Sequence, residues 1–315
     1  MKVKRLQFDK YGDASQMYIG DYELPGLKPD EVQVKIKAVA INPLDWKQRN
    51  GDTKIMMDKH FPKGIGNDFS GTIEAIGTNV VGIKVGDEVF GITEFKRPGA
   101  FAQSVITKGN LIVKKPVNIS YEEGACLPIP YTTAWAALYL KGNIQQGSKV
   151  LINGCSGAVG QAAVQLALAK EAIVVGTCGG SSIEEVKAAG VKTVYDYGKD
   201  DVLEVSQEKY DVIFDTSGKI NVGKAIKRLN RNGKFIDINP TFSRILKGFF
   251  TGKYKMVFAT NGLKFLPQIA QYAGEGKIFQ KVGNVNAFAD VIDAITELES
   301  GKRNKGRTVL SFEKN

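Results

Sequence analysis

Three glycines stand three residues apart in VLINGCSGAVGQAAVQLA (Val150 to Ala167): Gly154, Gly157 and Gly160. They lie between an apolar run and a long segment with helical apolar spacing. Glycines in such a place let the backbone approach a phosphate, and the helix that follows offers N–H groups and the positive end of a dipole. As a bare pattern the trio is a weak signal, because a tight turn explains it as well. The setting is stronger: it follows a buried strand, opens a helix and begins a βαβ unit, the context a dinucleotide-binding turn requires. A pyrophosphate is therefore expected against Gly154, Ser156, Gly157, Ala158, Val159 and Gly160.

The end of the next strand speaks to which dinucleotide. A site for NAD wants an Asp or Glu there to accept from the ribose hydroxyls. The sequence instead reads GTCGGSS, and its first acid, Glu184, falls well into the following helix. Thr177, Gly179, Ser181 and Ser182 offer no carboxylate to repel a 2′-phosphate, and the two serines can donate to it. The plainer reading of those serines is a helix cap. NADPH is the expected cofactor.

The elements that must hold this turn come from periodicity. KVLIN, AIVVGT, KTVYDY, DVIFDT, GKFIDI and KMVFAT are short apolar runs, several separated by helical segments. That pattern predicts a parallel sheet covered on both faces, and six such strands match a doubly wound dinucleotide fold. Before Pro116 the pattern is different. EVQVKIKAVAIN alternates with period two, and GTIEAIGTNVVGIKVGDEVFG and AFAQSVITKGNLIVKKP read as short strands punctuated by glycine. These predict a barrel-like β-module. Ser120, with Glu123 three residues on, predicts a capped helix start. Beyond Asn261 we expect helices near Leu263 to Ala273 and Asn286 to Leu298. The closing strand RTVLSF is expected to return to the first module.

Composition bounds the function. The 315 residues are 43% hydrophobic and 24% charged, enough for two ordinary domains. The start, MKVKRLQFDKYGDASQ, has no apolar core behind its charges, so no secretory signal is expected. No run of about 18 apolar residues predicts a membrane span. Three cysteines, Cys126, Cys155 and Cys178, without close pairing suit a reducing cytoplasm. Lys and Arg number 43 against 33 Asp and Glu, a net charge of +10. The basic residues are spread out, and the densest cluster, KRNKGR (Lys302 to Arg307), reads as a solvated loop. No zinc-finger, RNP or basic-zipper pattern accompanies the charge, so nucleic acid is not an expected partner.

Several stretches together resemble the medium-chain dehydrogenase/reductase superfamily, in its zinc-free quinone oxidoreductase branch. They are AINPLDWKQRNG, GNDFSGTIEAIGTNVVGIKVGDEVFG, AFAQSVITKGNLIVKKP, EEGACLPIPYTTAWAAL and the glycine stretch. The resemblance implies an α/β fold: a GroES-like β-barrel domain built from both chain ends, plus a Rossmann doubly wound parallel sheet. The expected boundaries are 1–118, 119–261 and 262–315. Zinc alcohol dehydrogenases of this superfamily carry a cysteine where Asn42 stands and G-H-E where Gly66, Asn67 and Asp68 stand. There is no third cysteine near IPYTTAW and no four-cysteine lobe, and His60 is the lone histidine. Zinc needs three or four thiolate, imidazole or carboxylate ligands, so no metal site is expected.

Without a Lewis acid, alcohol oxidation is not expected. The resemblance implies an NADPH-dependent, zinc-independent reductase of quinones or activated alkenes (enones, enals). Negative charge then builds on the acceptor oxygen, which needs donors. Relatives put an Asn and a Lys at the nicotinamide pocket, matching Asn42 and Lys47; the plainer readings are a turn residue before Pro43 and a solvated lysine. Asp45 is expected to orient Lys47 or the backbone. Tyr131 and Trp135 are expected to line the substrate cleft, though Trp135 reads equally as core. Thr133 resembles a cofactor-side threonine, Tyr197 a tyrosine on the adenosine-phosphate side, and Asn239 a residue near the nicotinamide. A homodimer through the edge of the Rossmann sheet is implied. Two alternatives stay open. One is an enoyl thioester reductase, for which the apolar and basic segment NPTFSRILKGFFTGKYKMVF allows a long channel. The other is an NADPH-binding structural or RNA-binding protein with little turnover.

Overall fold

The computed structural model describes residues 1–249, 251–302 and 304–313. Phe250 of the NPTFSRILKGFF segment, Arg303 of the basic cluster and the last two residues lie outside the described residues.

The alternating N-terminal sequence forms strands in chain order: β1 Lys2–Phe8, β2 Tyr18–Glu23 and β3 Glu31–Ala40. Helix α1 (Pro43–Asn50) follows, then β4 Lys63–Gly64, β5 Asp68–Ile76, β6 Glu88–Ile92, β7 Ser104–Lys108 and β8 Ile112–Lys114. Helices α2 (Tyr121–Ala125) and α3 (Pro128–Trp135) come next. Strands and helices then alternate: β9 Lys149–Asn153, α4 Ala158–Ala169, β10 Ile173–Cys178, α5 Ile183–Ala188 and β11 Thr193–Asp196. They continue as α6 Val202–Val205, β12 Tyr210–Asp215, α7 Val222–Lys227, β13 Leu229–Asp237, α8 Phe242–Phe249 and β14 Tyr254–Met256. The chain closes with α9 Leu266–Gly274, β15 Val282–Ala287, α10 Val291–Glu299 and β16 Arg307–Ser311.

Packing divides the chain into two units, Met1–Ile129 with Leu266–Asn315, and Pro130–Phe265. The divisions fall later than the expected 118 and 261. The reason is local: the Tyr121 carbonyl accepts from Ser70 Oγ, and the Ile129 N–H donates to Asp68, so α2 and its continuation pack on the first unit. In that unit β1, β2 and β4 form a small sheet, and a larger one runs β15-β16-β3-β5-β6-β8 with β7 also on β3. Val32, Val34 and Ile36, the alternate residues of β3, are buried with Phe69, Phe101 and Leu310 in one core. Each such side chain withdrawn from water stabilises the fold by about 1.5–3 kcal/mol.

The second unit is a six-stranded sheet in the order β11-β10-β9-β12-β13-β14, with every neighbouring pair parallel. The strand order reverses between β9 and β12, and ligands of such sheets bind beyond the strand ends at that reversal. The glycine turn directly follows β9.

Two expected elements differ. Asn286 was expected to begin a helix; it lies in β15, which pairs in parallel with β16, and α10 starts only at Val291. Of KMVFAT only Lys255 and Met256 are strand, in β14 behind Tyr254, because Ala259–Phe265 winds as a 3-10 segment leading into α9. RTVLSF does return to the first unit, pairing antiparallel with β3. Among the described residues, no helix is long and apolar enough to cross a membrane.

Candidate functional site

In the second unit the turn after β9 is built as the glycines demand. Gly154 has φ +81°, which an L side chain rarely adopts. A Cβ on Gly160 would run into the Gly154 carbonyl, so α4 starts hard against the turn. The Gly154 and Cys155 N–H groups donate to the Thr177 carbonyl (3.0 and 2.9 Å), tying the turn to β10. Thr177 Oγ1 donates to Asn153 Oδ1 (2.5 Å), and Asn153 Nδ2 donates to Asp215 Oδ1 (2.8 Å). A cradle that a Cβ would fill, closed by a helix N-terminus, fits the pyrophosphate of a dinucleotide.

The other expected cofactor residues border the same strand ends. Asn239 donates from Nδ2 to the Thr216 carbonyl (3.1 Å), and Thr216 Oγ1 donates to the Asn153 carbonyl (2.7 Å). A Cβ on Gly179 would sit 3.2 Å from the Tyr197 hydroxyl, so Tyr197, 61% exposed, stands over the tip of β10. Ser182 occupies the position before α5 without a side-chain cap bond. Ser181 is exposed. One neighbour was not foreseen: Asp196 Oδ2 lies 2.6 Å from where a Cβ on Gly180 would be. The local sequence hid this carboxylate because it belongs to the next strand.

The three expected site residues of α3 are buried. The Tyr131 hydroxyl donates to Gln165 Oε1 (2.8 Å), and Trp135 stacks on Phe265 with ring centroids 5.3 Å apart. Tyr131 (0% exposed) and Trp135 (7%) thus make core contacts, which for Trp135 is one of its two expected readings, and Thr133 is buried too. Arg244 was also missed. It bridges two fully buried carboxylates, with Nη2 on Asp215 Oδ2 (2.7 Å) and Nε on Asp237 Oδ2 (2.6 Å). Its Nη1 donates to the Gly218 and Ile220 carbonyls (2.8 Å each), so α8 is anchored to the ends of β12 and β13.

In the first unit a buried polar cluster surrounds the start of α1. Asn42 precedes Pro43, and its N–H donates to Asp45 Oδ2 (2.7 Å), closing the first turn. The Asn42 amide is fully used: Nδ2 donates to Asp68 Oδ2 (3.0 Å) and to the Ala40 carbonyl (3.2 Å), and Oδ1 accepts from Arg307 Nη2 (2.8 Å). Asn67 Nδ2 donates to Asp45 Oδ1 (2.9 Å) and Gln48 Oε1 (2.8 Å). Asn42, expected as a donor to a reacting oxygen, therefore holds the scaffold instead. Asp45 orients backbone, one of its two expected roles. Lys47, further along α1, is half-buried.

Burial governs the charges here. It pushes the Asp45 carboxyl up to about 7, against the opposing pull of the Asn42 N–H, the Asn67 amide and the Arg307 charge. It pushes Asp68 up to about 8, opposed chiefly by Arg307. The Cys126 thiol, next to Arg307, rises to about 11. Arg307 itself corrects an expectation: the end of the KRNKGR cluster is no solvated loop but a 9%-exposed residue of β16.

A doubly wound parallel sheet with a glycine cradle at its strand reversal, in one chain with a β-unit bearing a buried polar cluster, defines a dinucleotide-dependent oxidoreductase. Residues 28–117 match the alcohol dehydrogenase GroES-like domain family, and residues 189–310 the zinc-binding dehydrogenase family. The chain is 30% identical to a 2-methylene-furan-3-one reductase of Solanum lycopersicum, over 98% of this chain and 79% of the relative. It is 32% identical to a chloroplastic quinone-oxidoreductase homolog of Spinacia oleracea, over 75% of this chain and 74% of the relative. The solved quinone oxidoreductase of Coxiella burnetii superposes with a TM-score of 0.90 at 26% identity, covering 99% of both chains. The chain belongs to the medium-chain dehydrogenase/reductase superfamily, in its quinone oxidoreductase branch, and a nicotinamide cofactor follows from that membership.

One matched family is described as zinc-binding, and the residues present do not fit zinc. Asn42 and Asn67 are amides already committed to hydrogen bonds, the Cys126 thiol is held protonated, and a guanidinium lies against Asn42. Among the described residues, no three His, Cys, Asp or Glu side chains group as metal ligands.

Proposed function

We propose that this protein is an NADPH-dependent, zinc-independent reductase of quinones or activated alkenes such as enones and enals. The observation that carries the reading is the donor set around α1, which offers amides and a guanidinium where a metal would need thiolate and imidazole. A donor set that does not fit a metal ion favours an acceptor that is already electrophilic over an alcohol. Bound NADPH would supply the hydride. The chain's own part is to receive the pyrophosphate at Gly154 to Gly160 and to meet the 2′-phosphate with the Ser181 and Ser182 hydroxyls. Lys47 donates to the acceptor oxygen as negative charge builds there. The names of the tomato, spinach and Coxiella relatives support this acceptor class. Three free thiols support a reducing compartment, which we take to be the cytoplasm.

The test is NADPH consumption, followed by absorbance, with quinones, short enones and enoyl thioesters, repeated with NADH and with a chelator. Chelator-insensitive turnover favouring NADPH is expected; loss on chelation overturns the zinc-free reading. Lys47→Ala should lower kcat about 100-fold with NADPH affinity unchanged. A thioester enoyl reductase is the second reading, favoured by Phe242 (82% exposed) and Leu246 (55%) on α8. Preference for enoyl thioesters over short enones would select it.

A further inference from the structure

The inference concerns Arg307 and rests on the reductase reading. The register that pairs Val309 with Ala40 and Leu310 with Val39 carries Arg307 opposite Asn42, across 265 residues of sequence. There Nη2 donates to Asn42 Oδ1 (2.8 Å). Arg307 Nε is buried without a hydrogen-bond partner. The nearby charged groups are Asp45 from α1 and Asp68 from β5, both with 0% exposure. A buried guanidinium is costly to desolvate, and here its charge serves two buried carboxyls at once.

We propose that Arg307 is the fixed cation of the α1 site, a positioning residue that does the organising a metal ion does in the zinc-dependent members of the superfamily. Its bond to Oδ1 sets which way the Asn42 amide faces. With Oδ1 so held, both Nδ2 hydrogens go to Asp68 and the Ala40 carbonyl, and the backbone N–H of Asn42 meets Asp45. These bonds fix the first turn of α1, and thereby the helix that carries Lys47. Arg307 touches no reacting atom in this scheme. It acts through Asn42 and the two carboxyls.

The test compares R307K and R307M in the full chain by steady-state kinetics, NADPH binding, melting temperature and zinc content after incubation with zinc. R307M should lose about 100-fold in kcat while its NADPH Kd stays within about twofold. R307K keeps the charge and should recover to within about tenfold of the unmutated chain. The unmutated chain should retain no zinc. Weaker NADPH binding by R307M at unchanged kcat would make Arg307 a cofactor contact and overturn the proposal. So would R307K turning over no faster than R307M, or stoichiometric zinc in the unmutated chain. If R307M does not fold, R307Q, which keeps a polar side chain without the charge, takes its place in the comparison with R307K, and R307Q turning over as fast as R307K also overturns the proposal. Melting and zinc content do not depend on the acceptor, so they separate a failure of this inference from a failure of the reductase reading.

Discussion

At the scale of the residue, three carboxyl groups behave differently from what their neighbours in sequence imply. Asp196 closes on Gly180 from the adjoining strand, beside the serines we assign to a 2′-phosphate. A carboxylate there disfavours a second negative charge, so Asp196→Ser should raise the preference for NADPH over NADH about tenfold, read as the ratio of their Kd values. An unchanged ratio would remove Asp196 from the cofactor site. Asp68 and Asp45 ionise far above the ordinary 3.8, at about 8 and about 7. Their folded values are raised, so the stability they contribute is complete below the unfolded value and is lost as pH rises through 7 to 8. The melting temperature should therefore fall between about pH 4 and 8 and level off above, and D68N should flatten that fall. An equal slope in both proteins would contradict the assignment.

At the scale of the element, α8 depends on one side chain. Its exposed face carries Phe242 and Leu246, while Arg244 reaches inward to Asp215 and Asp237 and binds two carbonyls beyond β12. Removing it leaves two buried carboxylates without their cation, at a cost of about 3–5 kcal/mol. R244A should thus lower the melting temperature by about 6 °C or more. A shift within about 1 °C would mean that the bridge is worth little. Other elements were legible beforehand for local reasons. Alternation in EVQVKIKAV produced β3, and Ser120 with Glu123 forms the reciprocal cap of α2. Asn286 was misread because an apolar residue every three or four positions from Val285 on fits a helix. The strand exists only because β16 lies beside it.

At the scale of the whole molecule, β14 ends the parallel sheet with β13 as its one neighbour among the described strands. Among the described residues no strand pairs with its outer edge, and a second copy offers the same edge in return. We expect a homodimer, seen by light scattering at micromolar concentration as twice 34.3 kDa; a mass of 34.3 kDa would refute it. The net charge of +10 draws an anionic dinucleotide toward the protein without implying nucleic acid.

What the sequence determined by itself was local: the period-two strands, the apolar parallel strands, and a glycine turn at the junction where a phosphate fits. Side-chain periodicity and backbone sterics act over a few residues, and so they are written in adjacent letters. The amides at Asn42 and Asn67 were legible too, as residue types that do not make a zinc site. Only the tertiary structure decided which partners those amides have. Arg307 read as part of a solvated basic cluster until strand pairing brought it to Asn42. Asp196 and Arg244 gained their neighbours from adjoining strand ends, and Tyr131 gained a buried bond with Gln165. Charge and hydrogen-bond partners at long sequence separation leave no periodic trace, because nothing but the fold sets their distance.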